Sequence, residues 1–199
     1  MSERVTLSAR TRGATGKNAN RRLRARGITP AVFYNAAGVN LSLQVEEAAL
    51  TKLIVLAGRT TVFDLKVEGN GEATVYPCLI WDTEYYPTKN RLQHVDFYGV
   101  DLDKELKVRV PLEFTGTAKG TKLGGALEIY REHIEVYSKP TALPQKIQTD
   151  ITGLDVGHSL RVADLVMPEG VRASYDDNYL VIMVVTPGGD KEGEEEAEA

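Results

Sequence analysis

Between Arg10 and Arg24 the chain carries Arg10, Arg12, Lys17, Arg21, Arg22 and Arg24 together with Asn18, Asn20, Gly13 and Gly16, and not one carboxylate. These residue types suit one kind of chemistry. A guanidinium fork matches two phosphate oxygens at once and also stacks on bases. An asparagine side chain both donates to and accepts from a base edge, and a glycine lets the backbone come close to a phosphate. The segment therefore reads as a polyanion-binding element. Two blander readings compete with it: a solvated amphipathic surface helix, and a surface for acidic lipid headgroups. A solvated helix normally interleaves acids with its bases, and a lipid-binding helix carries large apolar anchors. The segment has neither, which favours nucleic acid.

The formal net charge of −4 conceals a segregation. Residues 1–27 hold eight basic side chains against Glu3 alone, a net +7, whereas residues 187–199 hold six acids against Lys191, a net −5. One end is suited to a polyanion. The other is a Gly- and Glu-rich tail expected to be disordered and solvated.

The elements that must position the basic segment follow from periodicity. Val5–Ala9 alternates as a short strand and Arg10–Gly16 reads as a loop. A helix capped by Asn18 or Asn20 then runs to Arg26, with Gly27 as its stop and Pro30 soon after. On that helix Ala19 and Leu23 share a stripe, and Arg21, Arg22 and Arg24 point mostly elsewhere. Pro30–Tyr34 and Leu41–Val45 are strands about a turn at Asn35–Gly38. Glu46–Ala57 is the clearest helix, with Leu50, Leu53, Ile54 and Ala57 on one face. Thr61–Val67 and Val75–Trp81 are strands about an Asn70-Gly71 hairpin turn. Tyr85–Asn90 reads as a loop, Gln93 to about Tyr98 as a strand, and Tyr98-Gly99 as linker. The sum is a mostly antiparallel sheet or small barrel with two helices.

Near Gly99 the pattern restarts. Leu106, Val108, Val110, Leu112 and Phe114 alternate with mostly charged partners, Thr115–Gly125 is a Gly-rich loop, and Ile129–Tyr137, Lys146–Ile151 and Leu180–Val185 are further strands. The expected fold is mainly β with few helices. Its parts are an N-terminal domain over residues 1–99, an all-β C-terminal domain over 100–186 and the acidic tail over 187–199.

Other chemistries find no support. The single Cys78 excludes an internal disulfide and a Cys-rich zinc site. His94, His133 and His158 lack ligand spacing, and no nucleophile–base or paired-carboxylate arrangement can be assigned. Gly116–Gly125 misses the phosphate-loop spacing, and no apolar helix follows it. The expectation is a binding protein, not an enzyme, without metal, cofactor or small-molecule substrate. With no apolar signal-peptide core and no apolar run of about 20 residues, it reads as soluble and cytoplasmic, with no membrane partner.

Three runs stand out in order and spacing: Gly16-Lys17-Asn18-Ala19-Asn20-Arg21-Arg22-Leu23-Arg24, Pro30-Ala31-Val32-Phe33-Tyr34 and Leu92-Gln93-His94-Val95-Asp96-Phe97. Together they resemble the 5S rRNA-binding family numbered twenty-five of the bacterial large ribosomal subunit, which includes the general stress protein Ctc. Val110-Pro111-Leu112, Phe114-Thr115-Gly116-Thr117, Gly124-Gly125 and Gly153-Leu154-Asp155-Val156-Gly157-His158-Ser159-Leu160 resemble the long, two-domain form of that family.

The resemblance implies a β-barrel first domain with helices on it, binding an irregular helical region of 5S rRNA. A regular A-form major groove is too narrow for side chains, so irregular regions and backbone shape are what a protein reads. By the match, Arg12, Lys17, Asn20, Arg21, Arg22 and Arg24 contact phosphates or base edges, with Arg10 and Asn18 in the same segment. Tyr34, His94 and Asp96 flank that surface from neighbouring strands. Taken alone, His94 reads as a satisfied strand histidine, Asp96 as a carboxylate that orients an arginine, and Tyr34 equally as a core tyrosine. For the second domain the resemblance implies contacts with neighbouring large-subunit rRNA or ribosomal proteins. The alternative is a stress-related RNA-binding adaptor that visits the ribosome transiently.

Overall fold

Strands with apolar alternate residues have one face to bury, and a closed barrel buries it without leaving an unpaired edge. The computed structural model describes residues 4–69 and 72–186. Within it six strands close such a barrel: β1 Thr6–Thr11, β2 Ile28–Asn35, β3 Asn40–Glu46, β4 Phe63–Gly69, β5 Glu72–Tyr86 and β6 Lys89–Gly99. Their order is β1-β3-β2-β6-β5-β4. Two pairs are parallel, β1 with β4 (Leu7 opposite Leu65) and β2 with β6 (Phe33 opposite Phe97), and the others are antiparallel. Phe33, Leu43, Phe63, Leu65, Val95 and Phe97 fill the interior, with the Phe63 and Phe97 rings edge to face at 5.7 Å.

Two helices accompany the barrel. α1, Lys17–Ala25, buries no side chain fully and lies against β2. α2, Glu47–Ala57, contributes Leu50, Leu53 and Ala57 to the barrel core.

Local details differ from the sequence expectations for physical reasons. β1 continues through Arg10 and Thr11, because both pair with β3. The N-cap of α1 is Gly16, at φ 96 and with no side-chain cap, so neither Asn18 nor Asn20 caps it. Gly27, at φ 74, follows the C-cap as expected. The loop expected at Tyr85–Asn90 shrinks to a turn at Pro87 and Thr88. The register of β5 on β6 slips at Ile80/Asp82, Glu84/Tyr85 and Tyr85/Tyr86. Such irregularities bend a long hairpin and break its alternation. Gly99 is not linker. It closes β6 opposite Asn35 and Cys78, and a Cβ there would lie 2.8 Å from the Phe33 ring. The Asn70-Gly71 turn and the tail at 187–199 lie outside the described residues.

The chain divides into two compact units, but not by a single cut. Among the described residues the first runs to Val108 and takes in Ser138–Gln145; the second comprises Arg109–Tyr137 and the chain from Lys146. Leu102, Leu106, Val108 and Leu143 belong to the first because they pack with Leu79 and Val100.

The second unit is built on two sheets. Strands β7 Leu106–Thr115 (from Arg109 on), β9 His133–Ser138 (to Tyr137), β10 Ile147–Asp150 and β12 Val171–Ala173 have the order β10-β7-β9-β12. Strands β8 Ala126–Ile129, β11 Ser159–Arg161 and β13 Leu180–Val185 have the order β11-β13-β8. Val110, Ile134, Val136, Ile147, Val181, Ile182 and Val184 are buried. The strand expected over Ile129–Tyr137 is two, β8 and β9. The Gly-rich segment holds a one-turn helix, α3 Lys119–Lys122, packed so closely that a Cβ on Gly120 would lie 2.6 Å from the Val156 amide nitrogen.

Candidate nucleic-acid interface

A 3.6-residue period puts Ala19, Asn20, Leu23 and Arg24 on one stripe of α1, and these four are the half-buried ones. Lys17, Asn18, Arg21 and Arg22 are exposed on the opposite side. Arg24 thus departs from the expectation that it points outward. Its Nε donates to the Gln93 carbonyl at 2.9 Å, and its guanidinium carbon lies 6.0 Å from the centre of the Tyr86 ring. Cation and ring attract at that range.

Arg12 follows β1, with its amide bonded to the Ser42 carbonyl at 2.9 Å. Its Nη1 donates to Asn20 Oδ1 at 2.6 Å, while its Nε is buried and makes no hydrogen bond. Burial first, then the positive charge of Arg24, lowers the Arg12 pKa. Lys17, Arg21, Arg22 and Arg26 make no ion pair among the described residues. Arg10 differs: its Nε meets Glu68 at 3.3 Å, an exposed pair between β1 and β4.

The outer face of β6 carries the second group. His94 Nδ1 lies 2.9 Å from Asp96 Oδ1. With Nδ1 engaged, Nε2 is the nitrogen left for a partner. On β2, Tyr34 sits opposite Tyr98 of β6, and the rings meet edge to face at 5.6 Å. Tyr34 is half-buried on the outside of the barrel, which settles against a core role. Burial raises its pKa, aided by the negative charges of Asp96 and Asp82, so at neutral pH its hydroxyl is a donor. Asp82 is itself bonded by Arg59. Trp81 continues the aromatic strip, 5.1 Å from Tyr98 and exposed.

Arg24 connects the two groups, since Gln93 precedes His94 on β6. Lys17, Asn18, Arg21 and Arg22 therefore stand on a helix tied to the strand that bears His94 and Asp96. Sequence reasoning missed the residues that make the tie: Gln93 and Tyr86, which meet Arg24, and Arg91, which bonds both the Arg24 carbonyl and Glu47. Glu47 and Arg91 are 44 positions apart, and no local pattern links them. Exposed lysine and arginine suit phosphates, Asn, His and Asp suit base edges, and Tyr34 and Trp81 offer faces for stacking. Among the described residues no group of three or more His, Cys, Asp or Glu side chains is placed to hold a metal, and no helix is long and apolar enough to cross a membrane.

Comparison with known proteins bears on both halves. Residues 7–97 match the Ribosomal L25p family, and residues 105–188 match the ribosomal protein TL5, C-terminal domain. The chain is 50% identical, over 96% of its length and 97% of the relative's, to the large ribosomal subunit protein bL25 of Lawsonia intracellularis. It is 49% identical over 96% of its length to the bL25 of Nitratidesulfovibrio vulgaris, all of which is covered. With the bL25 of Desulforudis audaxviator it shares 37% identity over 94% of its length and 90% of the relative's.

Proposed function

The chain belongs to the ribosomal bL25 family, in a form that carries a TL5-type C-terminal domain, and on that premise we propose that its first unit binds 5S rRNA through α1 and the adjoining β2–β6 surface. It is a large-subunit ribosomal protein, part of a ribonucleoprotein that carries out translation, and its role there is structural.

One observation carries this reading: among the described residues Lys17, Arg21 and Arg22 are exposed and make no ion pair, on a helix whose inner side is bonded to β6. Bringing these cations to phosphates releases condensed counterions, so affinity comes largely from salt-sensitive entropy. Phosphate contacts fix register, and base-edge groups supply selectivity. Asn18, Asn20, His94 and Asp96 are the groups here with that capacity. The second unit then meets neighbouring rRNA or ribosomal proteins.

Ultraviolet crosslinking within intact large subunits tests the assignment. Crosslinks from 5S rRNA to peptides spanning residues 17–26 or containing Tyr34 are expected. Crosslinks from those peptides to other rRNA, with none to 5S rRNA, would overturn it.

A further inference from the structure

The final carbonyls of a helix have no partners within it. In α1 the Arg24 carbonyl accepts from the Gly27 amide at 3.2 Å and also from Arg91 Nη2, which reaches over from β6. Glu47 holds the same guanidinium. Nε of Arg91 donates to the two carboxylate oxygens at 2.9 and 3.0 Å, and Nη2 donates to Oε2 at 2.8 Å. Glu47 opens α2, and its own amide donates to the Gly27 carbonyl at 2.9 Å.

The arginine thus stands at the C-terminal end of one helix and the carboxylate at the N-terminal end of another, each facing the opposite partial charge. Arg24 answers from its own side through Nε to the Gln93 carbonyl, two residues along β6 from Arg91. Because α1 buries no side chain fully, its orientation depends heavily on such polar ties. The pair is partly shielded from solvent, with side-chain exposures of 37% for Arg91 and 22% for Glu47.

We propose that Glu47 and Arg91 are positioning residues for RNA binding: together they set the orientation in which α1 presents Lys17, Arg21 and Arg22. The inference rests on the reading of α1 as the RNA-binding helix. It gives a carboxylate a favourable part in binding a polyanion, the reverse of what charge alone predicts. A Glu47 acting only through its field would make Glu47→Gln bind RNA more tightly. An Arg91 acting only through its charge would tolerate Arg91→Lys. A lysine ammonium lacks the planar fork that spans a carboxylate and a carbonyl together.

The test uses the full chain and 5S rRNA. Dissociation constants over a salt series are measured for the wild type, Glu47→Gln, Arg91→Lys and, as a reference, Arg21→Ala, alongside hydrogen exchange of the α1 amides and thermal melting. Both positioning variants should bind about threefold or more weakly, exchange the α1 amides faster, and keep the wild-type salt slope because no phosphate contact is removed. Should Glu47→Gln melt, Arg91→Lys carries the test alone. Unchanged or tighter binding by folded variants, with Arg21→Ala weakened, overturns the positioning role and leaves the RNA reading standing. No binding by the wild type, or no effect of Arg21→Ala, removes the RNA reading and the positioning role together.

Discussion

Arg12 Nη1 and Asn20 Oδ1 lie 2.6 Å apart, joining the end of β1 to the inner side of α1. Two residues that look like independent RNA ligands in the sequence are therefore partners of each other first. Asn20 holds the Arg12 guanidinium in place, and Arg12 occupies the asparagine oxygen. Truncating either releases the other. A double-mutant cycle of Arg12→Ala and Asn20→Ala on 5S rRNA affinity should show a coupling of about 0.5–3 kcal/mol. Additive effects would mean that the hydrogen bond plays no part in binding.

Arg21 and Arg22 are exposed and make no ion pair among the described residues. Arg21→Ala and Arg22→Ala should each weaken RNA binding and reduce the slope of log affinity against log salt by roughly one. Stability should stay within about 0.5 kcal/mol of wild type, as for most surface substitutions. Denaturant titration and binding isotherms on the same preparations check both halves. A large loss of stability would show that these arginines hold the fold.

Gly99→Ala should do the opposite, lowering stability with no direct effect on RNA. The added Cβ would lie 2.8 Å from two atoms of the Phe33 ring and 3.1 Å from Asn35 Cβ. Overpacking of this kind costs about 1–3 kcal/mol. The denaturation midpoint should fall while affinity of the folded protein is kept.

Cys78 is fully buried in the barrel, and burial pushes its thiol from the ordinary value of 9.0 up to about 12. A group whose pKa is raised by folding contributes stability below its unfolded pKa and loses it as pH climbs towards the folded one. The stability difference between wild type and Cys78→Ala should therefore shift against the wild type between pH 9 and about 12. A difference independent of pH across that range would contradict the burial of the thiol. Alkylating reagents should modify Cys78 only after denaturation.

Much of this was legible in the sequence, and the exceptions have a common cause. Alternation in β3 and β4 and the apolar face of α2 follow from side-chain period, so those elements are found close to where the pattern puts them. Composition also marks the basic segment, whose Lys17, Arg21 and Arg22 are exposed. What composition does not carry is long-range pairing. β5 lost its outer half to register slips that broke the alternation, and Asn20 looked like a helix cap because caps are judged from neighbours, whereas its partner is Arg12. The Glu47–Arg91 pair joins a helix start to a strand that follow each other nowhere in the chain. Residues 102–108 and 138–145 join the first unit through contacts that only the folded chain makes.

The most direct test of 5S rRNA binding is a competition experiment: purified protein on labelled 5S rRNA, challenged with excess tRNA at two salt concentrations. The 5S complex should persist against tRNA and weaken steeply as salt rises. Equal displacement by tRNA at both salt concentrations would reduce α1 to a non-selective basic helix and contradict the 5S assignment.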